Sequence, residues 1–594
     1  MASDDFFLGV ERSVTGRRWL SRDHDERTAL ALTQRLDAPE LIGRILAARG
    51  VGLDDVETFL DPSLRHLLPD PSHLKGMEAA TERLARAVMQ GEKVAVYGDY
   101  DVDGATSAAL LTRYVRAVGG TAAIYIPDRI DEGYGPNVEA FLGLGREGAS
   151  LIVTVDCGTT AFEPLKAAAD AGIDVIVADH HEAEALLPPA IAVVNPNRLD
   201  EDSPHSHMAA VGVTFLLAVG LNRALREAGW FGAARAEPDM RQWLDLVALG
   251  TVCDVVPLVG VNRALVSRGL AVMAARGNAG LRALADIAGI DEAPGAYHAG
   301  YMLGPRINAG GRIGRADLGA RLLVSDDEVE TTEIAARLDA YNRERQDTEL
   351  GVLNAALDQV EETGQAGQDA GLIFVAGEGW HPGVVGIVAG RLANRFNRPA
   401  CVISINGDRA TGSGRSIAGV DLGAAIIAAR QSGLLLKGGG HVMAAGFAAR
   451  SIDLKAFGEF LQTRLASEIT VAAQARGLNL DGALSPGGAT RDLVAAIEKV
   501  GPFGTKNPEP RVVLPDVRVS WSKVVGANHV SCSLSGADGS RLRGIAFRAM
   551  DSELGPALLN ADGAPLHVAG KLRLNSWQGN ETVQMFIDDA APAW

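Results

Sequence analysis

KVAVYGDYDVDGATSAALLTRYVRAVGG, residues 93–120, begins as a continuous apolar run, breaks at a loop carrying Asp99, Asp101 and Asp103, and resumes with apolar residues at helical spacing. The same grammar returns in TAAIYIP (121–127), LIVTVD (151–156), EPLKAAADAG (163–172), IDVIVADHH (173–181) and AIAVVNP (190–196). Runs rich in β-branched residues alternating with amphipathic stretches read as βαβ units. A parallel sheet buried on both faces follows. The fold class is therefore α/β, with a doubly wound parallel-sheet domain at its centre.

Working outward, 211–229 and 240–252 carry helical periodicity. Between about 325 and 365 the chain is densely charged but keeps Ile334, Leu338, Tyr341 and Leu350 at spacings that predict one long helix joining two domains. A second Gly-rich α/β region runs from about 370 to 465, opening with LIFVAG and closing with GGGHVMAAGFAAR. After 480, stretches such as RVVLPDVRVSW, HVSCSLSG, LRGIAF and ETVQMFID predict a small antiparallel barrel.

The 594 residues carry 56 Lys+Arg against 74 Asp+Glu, a formal charge of −18, which excludes a protein that coats nucleic acid through a basic surface overall. Residues 511–594 hold eight of each sign, so the excess acid lies before the barrel. No stretch reaches the ~18 apolar residues of a membrane span, and the acidic N-terminus lacks the pattern of a secretory signal. The expectation is a cytoplasmic protein that does not engage a membrane. Cys157, Cys253, Cys401 and Cys532 form no C-x-x-C pair, which argues against both a disulfide framework and a thiolate zinc site.

Taken alone, the loop 99–103 reads equally as a helix cap, with Asp103 or Thr106 as the capping residue, or as a ligand loop. Recurrence changes this. Asp156 ends a second strand, and Asp179, His180 and His181 end a third. In an open parallel sheet the loops beyond the strand carboxyl ends share one crevice. Asp254, in LGTVCDVVPL, adds a carboxylate in an apolar context, where burial without a partner is unfavourable. Carboxylates with one or two imidazoles suit Mn²⁺ or Mg²⁺. Five or six such ligands favour two ions, which ~3.5–4 Å apart activate water and stabilise the leaving oxygen of a phosphoester.

GDYDVDG, VDCG, the triplet at 179–181 and GTVCDVVPL resemble the successive motifs of the DHH phosphoesterase superfamily. Within it, GPRINAGGRIGRAD, the NRERQ helix, GWHPGVVGIVAGRL, GSGRSIAGVDL and GGGHVMAAGF resemble segments of the RecJ family of single-strand-specific DNA exonucleases, in the expected order from about residue 75 onward. The resemblance implies an N-terminal extension (1–74), a DHH catalytic domain (75–260), a helical connector with the long linking helix (261–365), a DHH-associated substrate-binding domain (366–470) and an OB-fold domain (478–594). It further implies that Asp101, Asp103, Asp156, His180 and Asp254 hold the metals, with Asp156 bridging and Asp99 assisting from the edge. His181 would contact the scissile phosphate or orient the water, and Asp179 would orient neighbouring ligands.

Gly439 and Gly440, in the GGGH run that ends at His441, leave backbone N–H groups unobstructed for phosphate oxygens. By resemblance, Ser413 and Arg415 bind a terminal 5′ phosphate, with His381 lining the same cleft. Arg306, Arg312 and Arg315 are read in a Gly-rich loop, and Arg129 follows a strand. Arg129, Arg306 and Arg312 match the family motifs better than Arg315, and guanidinium groups grip phosphate bidentately. Trp521, Phe547, Trp577 and Phe586 either stack bases on the barrel or complete its core. Lys506, in GPFGTKNPEP, stands where relatives usually have glycine.

The activity implied is 5′-to-3′ hydrolysis of single-stranded DNA in recombination and repair, by a monomer with two divalent ions. Single-stranded-DNA-binding protein and a RecQ-type helicase are the implied partners. Two rivals remain. One is a DHH-type phosphodiesterase of short oligoribonucleotides or cyclic dinucleotides, relatives that generally lack the barrel. The other is a non-catalytic single-strand-binding scaffold, against which the complete ligand set argues.

Overall fold

The structure is a computed structural model describing residues 6–128, 132–133, 135–367, 371–577 and 580–593. Arg129 lies outside them, as does the side chain of Trp577. The chain divides into two compact units. One comprises residues 342–478 with the segments up to Arg12 and 16–20; the other comprises 13–15, 21–341 and 479–594.

In the larger unit, strands β1 (Lys93–Gly98), β2 (Thr121–Tyr125), β3 (Ala149–Val155), β4 (Asp174–Ala178) and β5 (Ala192–Val194) form one sheet in the order β2-β1-β3-β4-β5. Every pairing is parallel. Alternate residues of these strands enter two separate cores, Val94 and Val96 on one face and Ala95 and Tyr97 on the other, which is why the strands read as unbroken apolar runs. Helix α1 (Val102–Ala117) starts directly after the β1 loop. Helices α2 (Ala210–Glu227) and α3 (Leu244–Cys253) pack on it, with Leu110, Phe215 and Leu246 in one core.

Arg306 and Arg312 lie not in a loop but on helix α4 (Gly304–Ile313). Its glycines serve close packing: a Cβ on Gly311 would stand 3.0 Å from the Tyr100 carbonyl oxygen, so glycine lets this helix approach the aspartate loop. The predicted long helix is α5 (Glu328–Glu362). Ile334 and Leu338 are buried in the core of the larger unit, and Val352, Ala356 and Val360 in that of the smaller, while Leu350 is exposed.

The smaller unit is built on strands β6 (Ile373–Glu378), β7 (Ala400–Asn406), β8 (Arg409–Arg415), β9 (Lys437–His441) and β10 (Ala444–Arg450), with helix α6 (Pro382–Phe396). The sheet order is β9-β10-β8-β7-β6. The GGGH run is therefore an edge strand in a hairpin with β10.

The C-terminal strands β11 (Val512–Val525), β12 (His529–Ser535), β13 (Arg541–Ala546), β14 (Pro565–Trp577) and β15 (Asn580–Pro592) close into a barrel, because β14 pairs with both β15 and β11. Leu32, Ile42, Ile45 and Leu46, from two N-terminal helices, are buried in the same core as Leu514, Val530 and Met585. Three cysteines are buried and Cys253 partly so, all unpaired.

Lys506 sits at φ +63, the left-handed conformation that glycine adopts without penalty. The turn holds it there: Gly504 and Asn507 exchange backbone hydrogen bonds, and Leu258 N–H donates to the Thr505 carbonyl at 2.9 Å. Lys506→Gly is expected to raise the unfolding free energy by at most about 1 kcal/mol, read as a higher unfolding midpoint, since relief of strain is partly offset by chain entropy.

Candidate metal centre and phosphate-binding face

Every acid and imidazole read at the strand ends arrives at the carboxyl edge of the parallel sheet. Ligand atoms of Asp99, Asp101 and Asp156 lie within 4.8 Å of one another, as do those of Asp156, His180 and His181, and those of Asp103, His180 and Asp254. Asp156 and His180 each belong to two of these groups. Among the described residues, no Lys or Arg pairs with Asp101, Asp103, Asp156 or Asp254.

Each ligand is positioned by its backbone and neighbours. Asp101 is both cap and candidate ligand, its Oδ1 accepting from Gly104 N–H at 3.0 Å. Neither capping candidate, Asp103 nor Thr106, fills that role: Thr106 donates back to the Val102 carbonyl. The Asp103 carboxylate accepts from Ala210 and Val211 N–H at 2.7 and 2.9 Å, which aims the N-terminus of α2 at it. Asp156 takes φ +61, a conformation rare outside glycine, with its N–H donated to Ala178 O across the sheet. A Cβ on Gly250 of α3 would meet Thr106 Oγ1 at 2.3 Å and Asp103 Oδ1 at 2.9 Å, so glycine is required where that helix crosses α1.

The imidazoles are oriented from behind. His180 Nδ1 donates to the Met208 carbonyl at 3.0 Å, leaving Nε2 facing Asp156 Oδ1 at 3.4 Å and Asp103 Oδ2 at 4.0 Å. His181 Nδ1 meets Asp179 Oδ1 at 2.8 Å. Asp179 also accepts from the backbone N–H groups of Thr159, His180 and His181. Met208, Thr159 and Asn195, whose side chain donates to the Thr159 hydroxyl and the His181 carbonyl, went unread in the sequence, where polar residues in loops carry no mark of what they hold.

Electrostatics fit a cation. Burial, then the neighbouring carboxylates, pushes Asp103 and Asp156 well above the usual carboxylate range. Burial and Asp101 raise Asp254 to about 7. Among the described residues its buried Oδ2 has no hydrogen-bond partner, an arrangement a bound divalent ion would relieve. Burial opposes ionisation of Asp179, yet hydrogen bonds from His181 and Thr159 hold it well below that range. Against burial, the hydrogen bond to the Asp179 carboxylate and its charge lift His181 to about 9, whereas burial and then His181 lower His180. The residues present therefore suit hard divalent cations held by oxygen and imidazole.

In the smaller unit, Ser413 and Arg415 share one face of β8, with Gly446 and Gly439 in register beside Ser413, and Ala444 and His441 beside Arg415. Nothing would obstruct a Cβ on Gly439 or Gly446, so the sheet floor there is bare. Arg415 Nη1 donates to Ser413 Oγ at 3.0 Å, and α6 presses close, a Cβ on Gly386 standing 3.0 Å from that hydroxyl. His381 caps α6, its Nδ1 accepting from Gly383 N–H. Gly440 departs from this set. At φ +153 a Cβ would run into the backbone of Ala444 and Ala445, so its role is conformational.

Arg306 is engaged, its Nε donating to Asp339 at 2.9 Å and its Nη1 to Met302 O at 2.7 Å. Arg312 occupies the last turn of α4, beside Gly311. Arg315 forms a surface pair with Asp317.

Comparisons with known proteins match the chain domain by domain. Residues 93–251 match the DHH family, N-terminal domain; 369–467 match the DHHA1 domain; and 480–589 match the RecJ OB domain. The single-stranded-DNA-specific exonuclease RecJ of Bacillus subtilis (strain 168) is 35% identical over 584 residues, 97% of this chain and 71% of the relative. RecJ of Escherichia coli (strain K12) is 36% identical over 566 residues, 94% and 96% respectively. The crystal structure of RecJ in complex with Mn²⁺ from Thermus thermophilus superposes with a TM-score of 0.78 at 30% identity, covering 96% of this chain and 78% of that one.

Proposed function

This chain belongs to the RecJ family of single-stranded-DNA-specific exonucleases, and from that premise we propose that it removes nucleotides from the 5′ end of single-stranded DNA in recombination and repair. The observation that carries the reading is the convergence of Asp99, Asp101, Asp103, Asp156, Asp254, His180 and His181 on one sheet edge, with a buried Asp254 oxygen that has no hydrogen-bond partner among the described residues.

Asp101, Asp103, Asp156, His180 and Asp254 would hold two divalent ions, Mn²⁺ or Mg²⁺, with Asp156 shared and Asp99 at the edge. When bound, such ions supply Lewis-acid activation of water and neutralise charge on the reacting phosphate. Asp179 fixes His181 with a proton on Nδ1 and favours its protonated form, so that Nε2 would serve as a donor for a phosphate oxygen. Backbone N–H groups keep Asp103 and Asp179 in place, and the Met208 carbonyl fixes the His180 tautomer. Ser413, Arg415, His441, His381 and the bare floor at Gly439 would take the terminal phosphate, and so set polarity; Arg306, Arg312 and Arg129 would hold backbone phosphates. The barrel, matching the RecJ OB domain, favours a polymeric strand over a small diester. The enzyme would act as a cytoplasmic monomer, on strands supplied by a RecQ-type helicase or covered by single-stranded-DNA-binding protein.

A degradation assay on 5′-labelled and 3′-labelled single strands, duplex and short RNA, with and without chelator, tests the reading. The expected outcome is early loss of the 5′ label from single-stranded DNA only, abolished by chelator. Early loss of the 3′ label, or indifference to chelator, would contradict it. Arg415→Ala is expected to raise KM about tenfold or more on a 5′-phosphorylated strand, the worth of a hydrogen bond to a charged group, and to leave KM on a 5′-hydroxyl strand nearly unchanged.

A further inference from the structure

The outer face of the barrel carries aromatic rings that its core does not use. Phe547 is 53% exposed and Trp521 44%, with Lys523 Nζ 5.4 Å from the Trp521 ring. Phe547 lies 5.2 Å from His529 on one side and 5.4 Å from Phe586 on the other. Beyond Phe586 the row continues to Arg573 of β14 and leaves the barrel there. The Arg573 guanidinium stands 4.8 Å from the Phe586 ring and 5.9 Å from that of Tyr297. Tyr297 stacks on Tyr301 at 5.3 Å and 26°. These two tyrosines, at and within the helical turn His298–Leu303 that precedes α4, are 54% and 74% exposed. Arg573 is held flat by a two-pronged pair with Glu509, at 2.7 and 2.6 Å.

Single exposed rings are ordinary, but a row at 4.8–5.9 Å spacing, with a clamped guanidinium as its middle member, is a stacking platform. Register also places Arg543 and Lys571 on this outer face, beside Gln584 and Phe586, so cations flank the rings. Rings with interspersed cations suit one occupant, a single nucleic-acid strand with its bases unpaired. The geometry points to Tyr297 and Tyr301, joined to the barrel through Arg573, as a base-stacking extension of the single-strand path onto the connector. This rests on the function proposed above, and adds to it a strand-binding surface outside the barrel.

The test is binding of the full chain, in chelator, to fluorescent single strands longer than the ~16 nucleotides an OB fold covers, carrying a block of abasic sites walked along the strand. At one position of the block the wild type is expected to lose about tenfold in affinity. Y297A/Y301A is expected to bind the intact strand about tenfold more weakly and to be indifferent to the block at that position, with an unchanged melting midpoint. Y297F/Y301F is expected to restore both the affinity and the sensitivity. Wild-type affinity in Y297A/Y301A, or equal sensitivity of the two proteins to the abasic block at every position, overturns the inference. A wild type that neither binds nor cuts single strands overturns the proposed function itself.

Discussion

Asp156→Asn is expected to lower strand hydrolysis by at least about a thousandfold, several kcal/mol of transition-state stabilisation, and to raise the melting midpoint of the metal-free protein. Both effects follow from the position of this carboxylate. It stands in two of the three ligand groups, so its loss weakens both proposed metal sites. In the absence of metal it is buried among Asp101, Asp103 and Asp99, and burial, then these neighbours, hold its carboxyl well above the usual range. A raised carboxyl pKa means that the folded state binds a proton the unfolded chain has released, so stability falls as pH rises through the folded value. The midpoint gap between variant and wild type in chelator should therefore be small in acid and widen toward neutral pH. Asparagine is the informative replacement because it tolerates the left-handed backbone at this position. Full activity in the variant would show that the assigned centre is wrong.

His181→Ala should separate proton handling from metal retention. The side chain is anchored by Asp179 at 2.8 Å and partly exposed, whereas His180 faces Asp156 and Asp103. Loss of a positioned proton donor lowers rate by about 10²–10⁴-fold, and kcat is expected to fall within that range while Mn²⁺ affinity changes little. Asp179→Asn should give a smaller loss, about 10–100-fold, since it removes the orienting partner and leaves the imidazole. If His181→Ala abolishes metal binding as completely as His180→Ala, the division of labour between the two histidines is wrong.

The parallel sheet was legible because buried strands must be apolar on both faces, and its ligands were legible because acids at successive strand ends have one crevice to share. The α4 helix was misread as a Gly-rich loop because glycine signals either freedom of backbone or closeness of approach. Here Gly311 against Tyr100 and Gly250 against Thr106 serve approach. The row from Phe547 to Tyr301 was visible only at its barrel end, because register and the path of a connector decide which rings meet. Burial of the N-terminal helices in the barrel core had no local signature either, since an amphipathic helix does not specify what covers its apolar face.

The central claim, that these carboxylates and imidazoles form one centre for two divalent ions, is tested most directly by calorimetric titration of the metal-free full chain with Mn²⁺. Two equivalents should bind the wild type and at most one should bind Asp156→Asn. A folded wild type that binds none, or a variant that still binds two, would contradict it.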